Sequence, residues 1–224
     1  MGTRRSVVVA GGTGLVGREA LRLLVGRGDV GVTALVRRPG AGLPAGVTER
    51  VFDYEQAASY EALGGEVPCD ALLCCLGTTR KKAGSDEAFR RVDRDYPLRL
   101  LERLAALPRR PVFGLVSSIG ADRPGGLYLT TKAEVEAAVM ASGLPYVIVR
   151  PSLLVGEREE SRPGERLGLA LGVPFFKALQ AVAPGNLVAR YAPIQGAQVA
   201  AALIRGALDE EAPRRILEGK SLLG

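Results

Sequence analysis

Residues 6–17 restrict the fold more than any other stretch of the chain. Ser6–Ala10 is a short valine-rich run that breaks into Gly11-Gly12-Thr13-Gly14-Leu15-Val16-Gly17, and the helix-periodic segment Arg18–Val25 follows with Leu21, Leu24 and Val25 on helical spacing. A strand that ends in glycines and feeds a helix opens a βα unit. Gly11 permits the tight turn, Gly14 lets a ligand come close to the main chain, and Gly17 lets the helix pack closely on the sheet. The first N–H groups of a helix have no partner within it and stand at the positive end of its dipole, so Thr13, Gly14, Leu15 and Val16 border a natural seat for a pyrophosphate. With its strand before and its helix after, the turn reads as a dinucleotide site; the alternative is a glycine turn without a ligand.

Downstream, apolar runs keep alternating with helix-periodic segments, which argues for the α/β class and a parallel sheet. Val32–Val36 is the second strand, Val47–Phe52 the third, and Ala71–Leu76 a continuous apolar fourth that stops at Gly77. Asp86–Leu107 reads as one long helix with Leu98, Leu101, Leu104 and Ala105 on a stripe, kinked or divided by Pro97. Pro111–Val116 is the fifth strand, Tyr128–Ala141 a helix ended by Gly143, and Tyr146–Val149 a sixth strand halted at Arg150-Pro151. Ala197–Leu208 is the last long helix and Arg215–Leu217 the last strand. One domain over residues 1–224 is expected, with the part from about residue 151 onward forming a cap on the same core. Leu167–Ala189 is interrupted by Pro174, Lys177 and Pro184, so it reads as a buried helix plus loop and not as a bilayer span. Within it, Leu167–Phe176 is expected to cover an apolar substrate pocket.

Composition removes several chemistries. The 224 residues contain no histidine, which excludes Ser-His-Asp and Cys-His catalysis and His-ligated zinc. Cys69, Cys74 and Cys75 suit neither a disulfide framework nor a metal site; they read as small buried hydrophobes in a reducing compartment. No metal is expected. Met1–Ser6 runs straight into the first strand and does not resemble a signal peptide, so a cytoplasmic protein is expected. The net charge of +6 comes from scattered arginines, there is no tryptophan, and aromatic residues make up 5%. Neither a clustered nucleic-acid footprint nor a base-stacking platform is supplied. A pull toward small phosphate-bearing ligands remains.

The second strand ends Ala34-Leu35-Val36-Arg37-Arg38-Pro39, without the acid that would hold a ribose 2′-hydroxyl. Arg37 and Arg38 at that point suit a 2′-phosphate, because a guanidinium presents a planar fork to phosphate oxygens. NADP(H) is therefore the expected coenzyme, against the alternative of two solvated arginines. Asp53, with Tyr54 beside it, follows the third strand near the expected adenine. Leu76, Gly77 and Thr78 end the fourth and are expected to run under the adenine ribose.

Tyr128-Leu129-Thr130-Thr131-Lys132 places a phenol and an ammonium on one helix face, a turn apart. A phenol of pKa ~10 is a poor proton shuttle near neutrality, and a neighbouring ammonium favours its phenolate. Lys132 can also hold the nicotinamide ribose. Ser118, closing the fifth strand, can orient a substrate carbonyl while the tyrosine proton moves. A merely structural helix start is the competing reading.

With these residues in order, the chain resembles the short-chain dehydrogenase/reductases, and within them an atypical branch, the Tat-interacting-protein-like oxidoreductases. The G-x-x-G-x-x-G spacing is the variant usual in extended and atypical members. The similarity is carried further by residues 74–80, 91–96, Ser117-Ser118 with Gly120-Ala121-Asp122, Tyr128-Leu129, and 159–165. It implies a Rossmann-type doubly wound parallel sheet of about seven strands. It also implies NADP(H) as coenzyme, Tyr128 as proton donor or acceptor, Lys132 as its electrostatic partner and Ser118 as substrate orienter. Arg150-Pro151 looks like the family pair that leads toward the nicotinamide, so Pro151, Ser152 and Leu153 are expected to line that pocket. Two positions depart from the pattern. Asp93 stands where larger members carry an asparagine of a proton relay, and the interval from Ser118 to Tyr128 is short, which makes Ser117 a substitute candidate.

The function implied is NADP(H)-dependent reduction of a small carbonyl-type substrate. The alternative is a non-catalytic NADPH-binding regulator or redox sensor acting through a protein partner. No nucleic-acid or membrane partner is expected. A monomer and a homodimer through the exposed face of Asp86–Leu107 both stay open.

Overall fold

A computed structural model of the chain describes residues 4–155, 192–209, 211 and 214–223. The segments Leu167–Ala189 and Glu159–Glu165 lie outside the described residues. The main sheet has seven strands: β1 (Arg5–Ala10), β2 (Val30–Val36), β3 (Thr48–Val51), β4 (Ala71–Cys74), β5 (Val112–Val116), β6 (Tyr146–Arg150) and β9 (Arg214–Glu218). Their spatial order is β3-β2-β1-β4-β5-β6-β9, and every neighbouring pair is parallel.

This order follows from the sequence pattern. In β1, Val7, Val8, Val9 and Ala10 are all buried, which suits a central strand covered on both faces. Side chains alternate along it. Val7 and Val9 join one core layer with α1 (Leu15–Val25) and α7 (Gly196–Ala207), while Val8 and Ala10 join the other with α5 (Tyr96–Ala105) and α6 (Gly126–Ala141). The chain runs from β1 outward to β2 and β3, then crosses back to β4 on the other side of β1. Crevices at such a reversal, beyond the carboxyl ends of the strands, are where open α/β sheets bind ligands. The glycine turn and residues 76–78 both lie there.

Boundaries differ from the sequence expectation where local geometry overrides periodicity. Helix α1 begins at Leu15, not Arg18, because Gly14 caps it. The expected helix Asp86–Leu107 is three pieces: α4 (Asp86–Arg90), a π-helical turn (Arg91–Asp95) and α5. Pro97 lies in the first turn of α5 and has no N–H for the carbonyl a turn earlier, so the ladder widens just before it. The widened turn keeps Phe89, Asp93 and Pro97, four residues apart, all buried.

Two short helices, α2 (Ala57–Glu61) and α3 (Arg80–Ala83), and a parallel pair, β7 (Leu154–Val155) with β8 (Ile194–Gln195), carry no clear sequence signal. In the C-terminal part, α7 packs on α1 and across β4, β5 and β6, and β9 extends the sheet beside β6. Gly206 permits this close seating, since a Cβ there would stand 2.8 Å from Val147 Cγ1. Among the described residues no helix is long and apolar enough to cross a membrane.

Candidate functional site

The turn between β1 and α1 is built from its glycines. Gly11 adopts φ +82°, and a Cβ on it would stand 2.5 Å from the carbonyl oxygen of Cys75. A Cβ on Gly17 would run into the carbonyl oxygen of Gly11. Gly14 N donates to Gly11 O at 3.0 Å and Arg18 N donates to Gly14 O at 2.8 Å, so the helix starts directly out of the turn. Thr13 and Gly14 are exposed, Val16 and Gly17 are buried, and Leu15 packs near Gly196. No acid occupies the first turn of α1 and no side chain caps it. Main-chain donors at a positive helix end, with no carboxylate to compete, fit a pyrophosphate.

Arg37 and Arg38 follow β2, exposed, and among the described residues neither has an ion-pair partner. Asp53 is exposed, and its Oδ1 accepts the Glu55 N–H at 2.9 Å, which closes a turn. Tyr54 belongs to the core. Its ring lies 4.8 Å from that of Phe52 and stacks on that of Tyr96 at 4.9 Å, and its hydroxyl is buried with no partner among the described residues. Burial pushes this phenol above its ordinary range. Its carbonyl accepts from the Tyr60 hydroxyl at 2.9 Å and from Arg99 at 3.0 Å, so the residue after Asp53 serves to anchor the loop.

Beyond β4, Leu76 and Thr78 are half-buried and Gly77 is exposed. Thr78 N donates to Asp93 Oδ2 at 2.8 Å, and Lys132 Nζ lies 2.9 Å from Asp93 Oδ1. The side chains of Lys132 and Asp93 are only 7% and 1% exposed. Burial alone would lower the Lys132 pKa, but Asp93 and the nearby Tyr128 phenol raise it, and the net shift is upward. Lysine 132 is thus held as an ammonium. Tyr128, in the first turn of α6 after Gly125-Gly126, is 43% exposed. The Lys132 Nζ stands 5.8 Å from the centroid of its ring, and the Phe89 ring stands 6.1 Å from it.

Ser118 is half-buried, and its hydroxyl donates to the neighbouring Ile119 carbonyl at 3.3 Å. Ser117 is buried, with its Oγ unpartnered among the described residues. Arg150 grips Glu136 of α6 through Nε at 3.0 Å and Nη2 at 2.6 Å, and reaches Glu218 of β9 at 3.4 Å. Pro151 is buried and its carbonyl accepts Ile119 N–H, while Ser152 bonds the Ala192 carbonyl and Leu153 is exposed. These contacts tie β6 to β5 and β8.

The structure therefore brings Tyr128, Lys132 and Thr78 to one end of the sheet and adds Asp93 as the group joining the last two. In the sequence Asp93 stands out only as a departure from a family pattern; the link to Lys132 depends on a π turn whose one local sign is Pro97. The cysteines are free thiols. Burial raises Cys69 to about 12 and Cys74 to about 11, so both stay protonated near neutrality. Among the described residues no group of three or more histidine, cysteine or acidic side chains is arranged to hold a metal.

Comparison with known proteins agrees with this geometry. The NAD(P)H-binding family model matches residues 11–168. Protein HTATIP2 of Rattus norvegicus is 39% identical over 170 residues, 73% of this chain and 68% of that protein. The mitochondrial protein FMP52 of Candida albicans is 33% identical over 162 residues, 70% of each chain. Among solved structures, the Bordetella bronchiseptica enzyme WbmF in complex with NAD+ covers 99% of this chain and 77% of its own, with TM-score 0.69 and 18% identity, which shows the shared fold.

One expectation is overturned. Relatives from Candida albicans, Emericella nidulans and Aspergillus niger are named as mitochondrial proteins, which points away from the cytoplasm. By its glycine turn, its sheet order and these relatives, the chain belongs to the NAD(P)H-binding family, in the atypical short-chain dehydrogenase/reductase branch that includes HTATIP2.

Proposed function

We propose that the protein is an NADP(H)-dependent oxidoreductase that reduces a small carbonyl-type substrate. The observation that carries this reading is Tyr128, half exposed, beside a buried Lys132 that Asp93 keeps protonated. Tyr128 donates its hydroxyl proton to the substrate's carbonyl oxygen as that oxygen gains negative charge. The ammonium of Lys132 stabilises the phenolate left behind. Ser118 donates a hydrogen bond to the same oxygen once its hydroxyl leaves the Ile119 carbonyl. The bound coenzyme supplies hydride. The residues that would hold it are the main-chain donors of Thr13, Leu15 and Val16 with Gly14 allowing close approach, Asp53 at the adenine, Leu76–Thr78 at the ribose, and Lys132 and Pro151 on the nicotinamide side.

The choice of NADP(H) over NAD(H) draws on Arg37 and Arg38, two exposed guanidiniums at the end of β2 where no acid stands. A second reading, a non-catalytic NADPH-responsive regulator, draws on Asp93: its negative charge beside the Lys132 ammonium offsets the pull of that ammonium on the Tyr128 hydroxyl. Turnover separates the two. NADPH consumption is screened across aldehydes, ketones and quinones with Tyr128→Phe as the control. The oxidoreductase reading expects at least one substrate turned over by the wild type and not by the variant; binding of NADPH with no turnover of any class favours the regulator.

A further inference from the structure

We propose that Glu49, on β3, is a positioning residue for coenzyme selectivity: it pre-sets the loop that carries Arg37 and Arg38. The inference rests on the NADP(H) reading above and names the device behind it. After β2 ends at Val36, the chain turns through Arg37-Arg38-Pro39-Gly40-Ala41-Gly42, with Gly40 at φ +71° and Gly42 at φ +63°. A loop with two glycines in the left-handed region loses much conformational freedom when it is ordered. Left to itself it would be ordered only at the expense of ligand affinity.

Here the ordering is built in. Glu49 pairs in register with Ala34 of β2, and its carboxylate reaches the loop with both oxygens. Oε2 accepts Gly40 N–H at 2.8 Å and Oε1 accepts Ala41 N–H at 3.1 Å. Two successive amides converging on a carboxylate make a charge-assisted clamp. From the other side, the Arg18 guanidinium, in the first turn of α1, donates to the Gly42 carbonyl at 3.1 Å. The loop is thereby tied both to β3 and to the helix whose N-terminus forms the phosphate turn. Neither Arg37 nor Arg38 takes part in the clamp, so both guanidiniums stay available on a fixed backbone.

The consequence is selective. A coenzyme with a 2′-phosphate uses these arginines and benefits from their fixed backbone; one with a bare 2′-hydroxyl does not. Calorimetry with NADPH and NADH on wild type, Glu49→Ala and Glu49→Gln tests this. Glu49→Ala is expected to weaken NADPH by about tenfold and NADH by less than about twofold, with Glu49→Gln in between because its amide oxygen still accepts. Amide hydrogen exchange provides a second readout: Gly40 and Ala41 are expected to be protected in the wild type and unprotected in Glu49→Ala. Rapid exchange of both in the wild type would overturn the clamp. Equal loss for both coenzymes would make Glu49 merely structural and overturn the proposal. A wild type that prefers NADPH, with a Glu49→Ala variant that keeps the full preference, overturns this inference alone; a wild type without preference overturns the NADP(H) reading and this inference with it.

Discussion

The carboxylate of Asp93 joins two elements at the crevice: one oxygen lies 2.9 Å from the ammonium of Lys132 and the other accepts the Thr78 N–H at 2.8 Å. Both side chains are buried, so deleting one leaves the other charge uncompensated, which costs about 3–5 kcal/mol in comparable pairs. Asp93→Ala is expected to lose stability of that order in urea unfolding. Adding Lys132→Met to it is expected to recover most of the loss. A double variant as unstable as the single one would mean that the pair contributes by packing and not by charge balance.

Tyr128 is 43% exposed, so removing its hydroxyl should leave the fold intact. Tyr128→Phe is expected to lower turnover by about 10²–10⁴, the usual worth of a positioned proton donor, with NADPH affinity unchanged. Steady-state rates and calorimetry on the same preparation check this. Undiminished turnover would assign the proton to another group.

Arg37→Ala and Arg38→Ala are each expected to weaken NADPH by about tenfold and to leave NADH nearly unaffected, since each removes a charge-assisted contact to phosphate alone. The combined variant should bring the two coenzymes close together in affinity. Unaltered discrimination would place the 2′-phosphate elsewhere.

Stability is expected to fall at alkaline pH. Cys74 and Cys69 have ordinary values of 9.0 that burial raises to about 11 and about 12. In the native state these thiols stay protonated while the unfolded chain ionises, so the native state binds more protons and loses stability as pH rises. The contribution is whole below the ordinary thiol value and is lost as pH climbs through the raised ones. Lys132, also raised in the folded protein, acts with the same sign above its ordinary value of 10.5. Urea midpoints measured across this range should decline, and less steeply in Cys69→Ala/Cys74→Ala. A midpoint that rises with pH there would contradict the burial of these groups.

The sheet and the glycine turn were legible because they are local. Val7–Gly17 states strand, turn and helix in one run, and the apolar strands need no distant partner to be recognised. Tyr128 and Lys132 were legible through helical spacing for the same reason. What escaped depends on contacts far apart in sequence. Asp93 meets Thr78 across 15 positions and Lys132 across more, by way of a π turn that periodicity cannot show. Glu49 reads as a polar residue on an edge strand until its carboxylate is seen on the loop amides. Tyr54 looked like a neighbour of the adenine because of its position after Asp53, yet its ring is held between Phe52 and Tyr96. Compartment was not legible in the three cysteines, whose number and spacing do not distinguish one reducing setting from another.

The grip of the β1–α1 turn on a pyrophosphate underlies every other assignment. Amide NMR spectra of the protein titrated with NADPH address it without need of a substrate. The largest shift changes are expected at the amides of Gly12, Thr13, Gly14, Leu15 and Val16, at saturating coenzyme. Binding that leaves those amides undisturbed while moving signals elsewhere, or no binding at all, would contradict it.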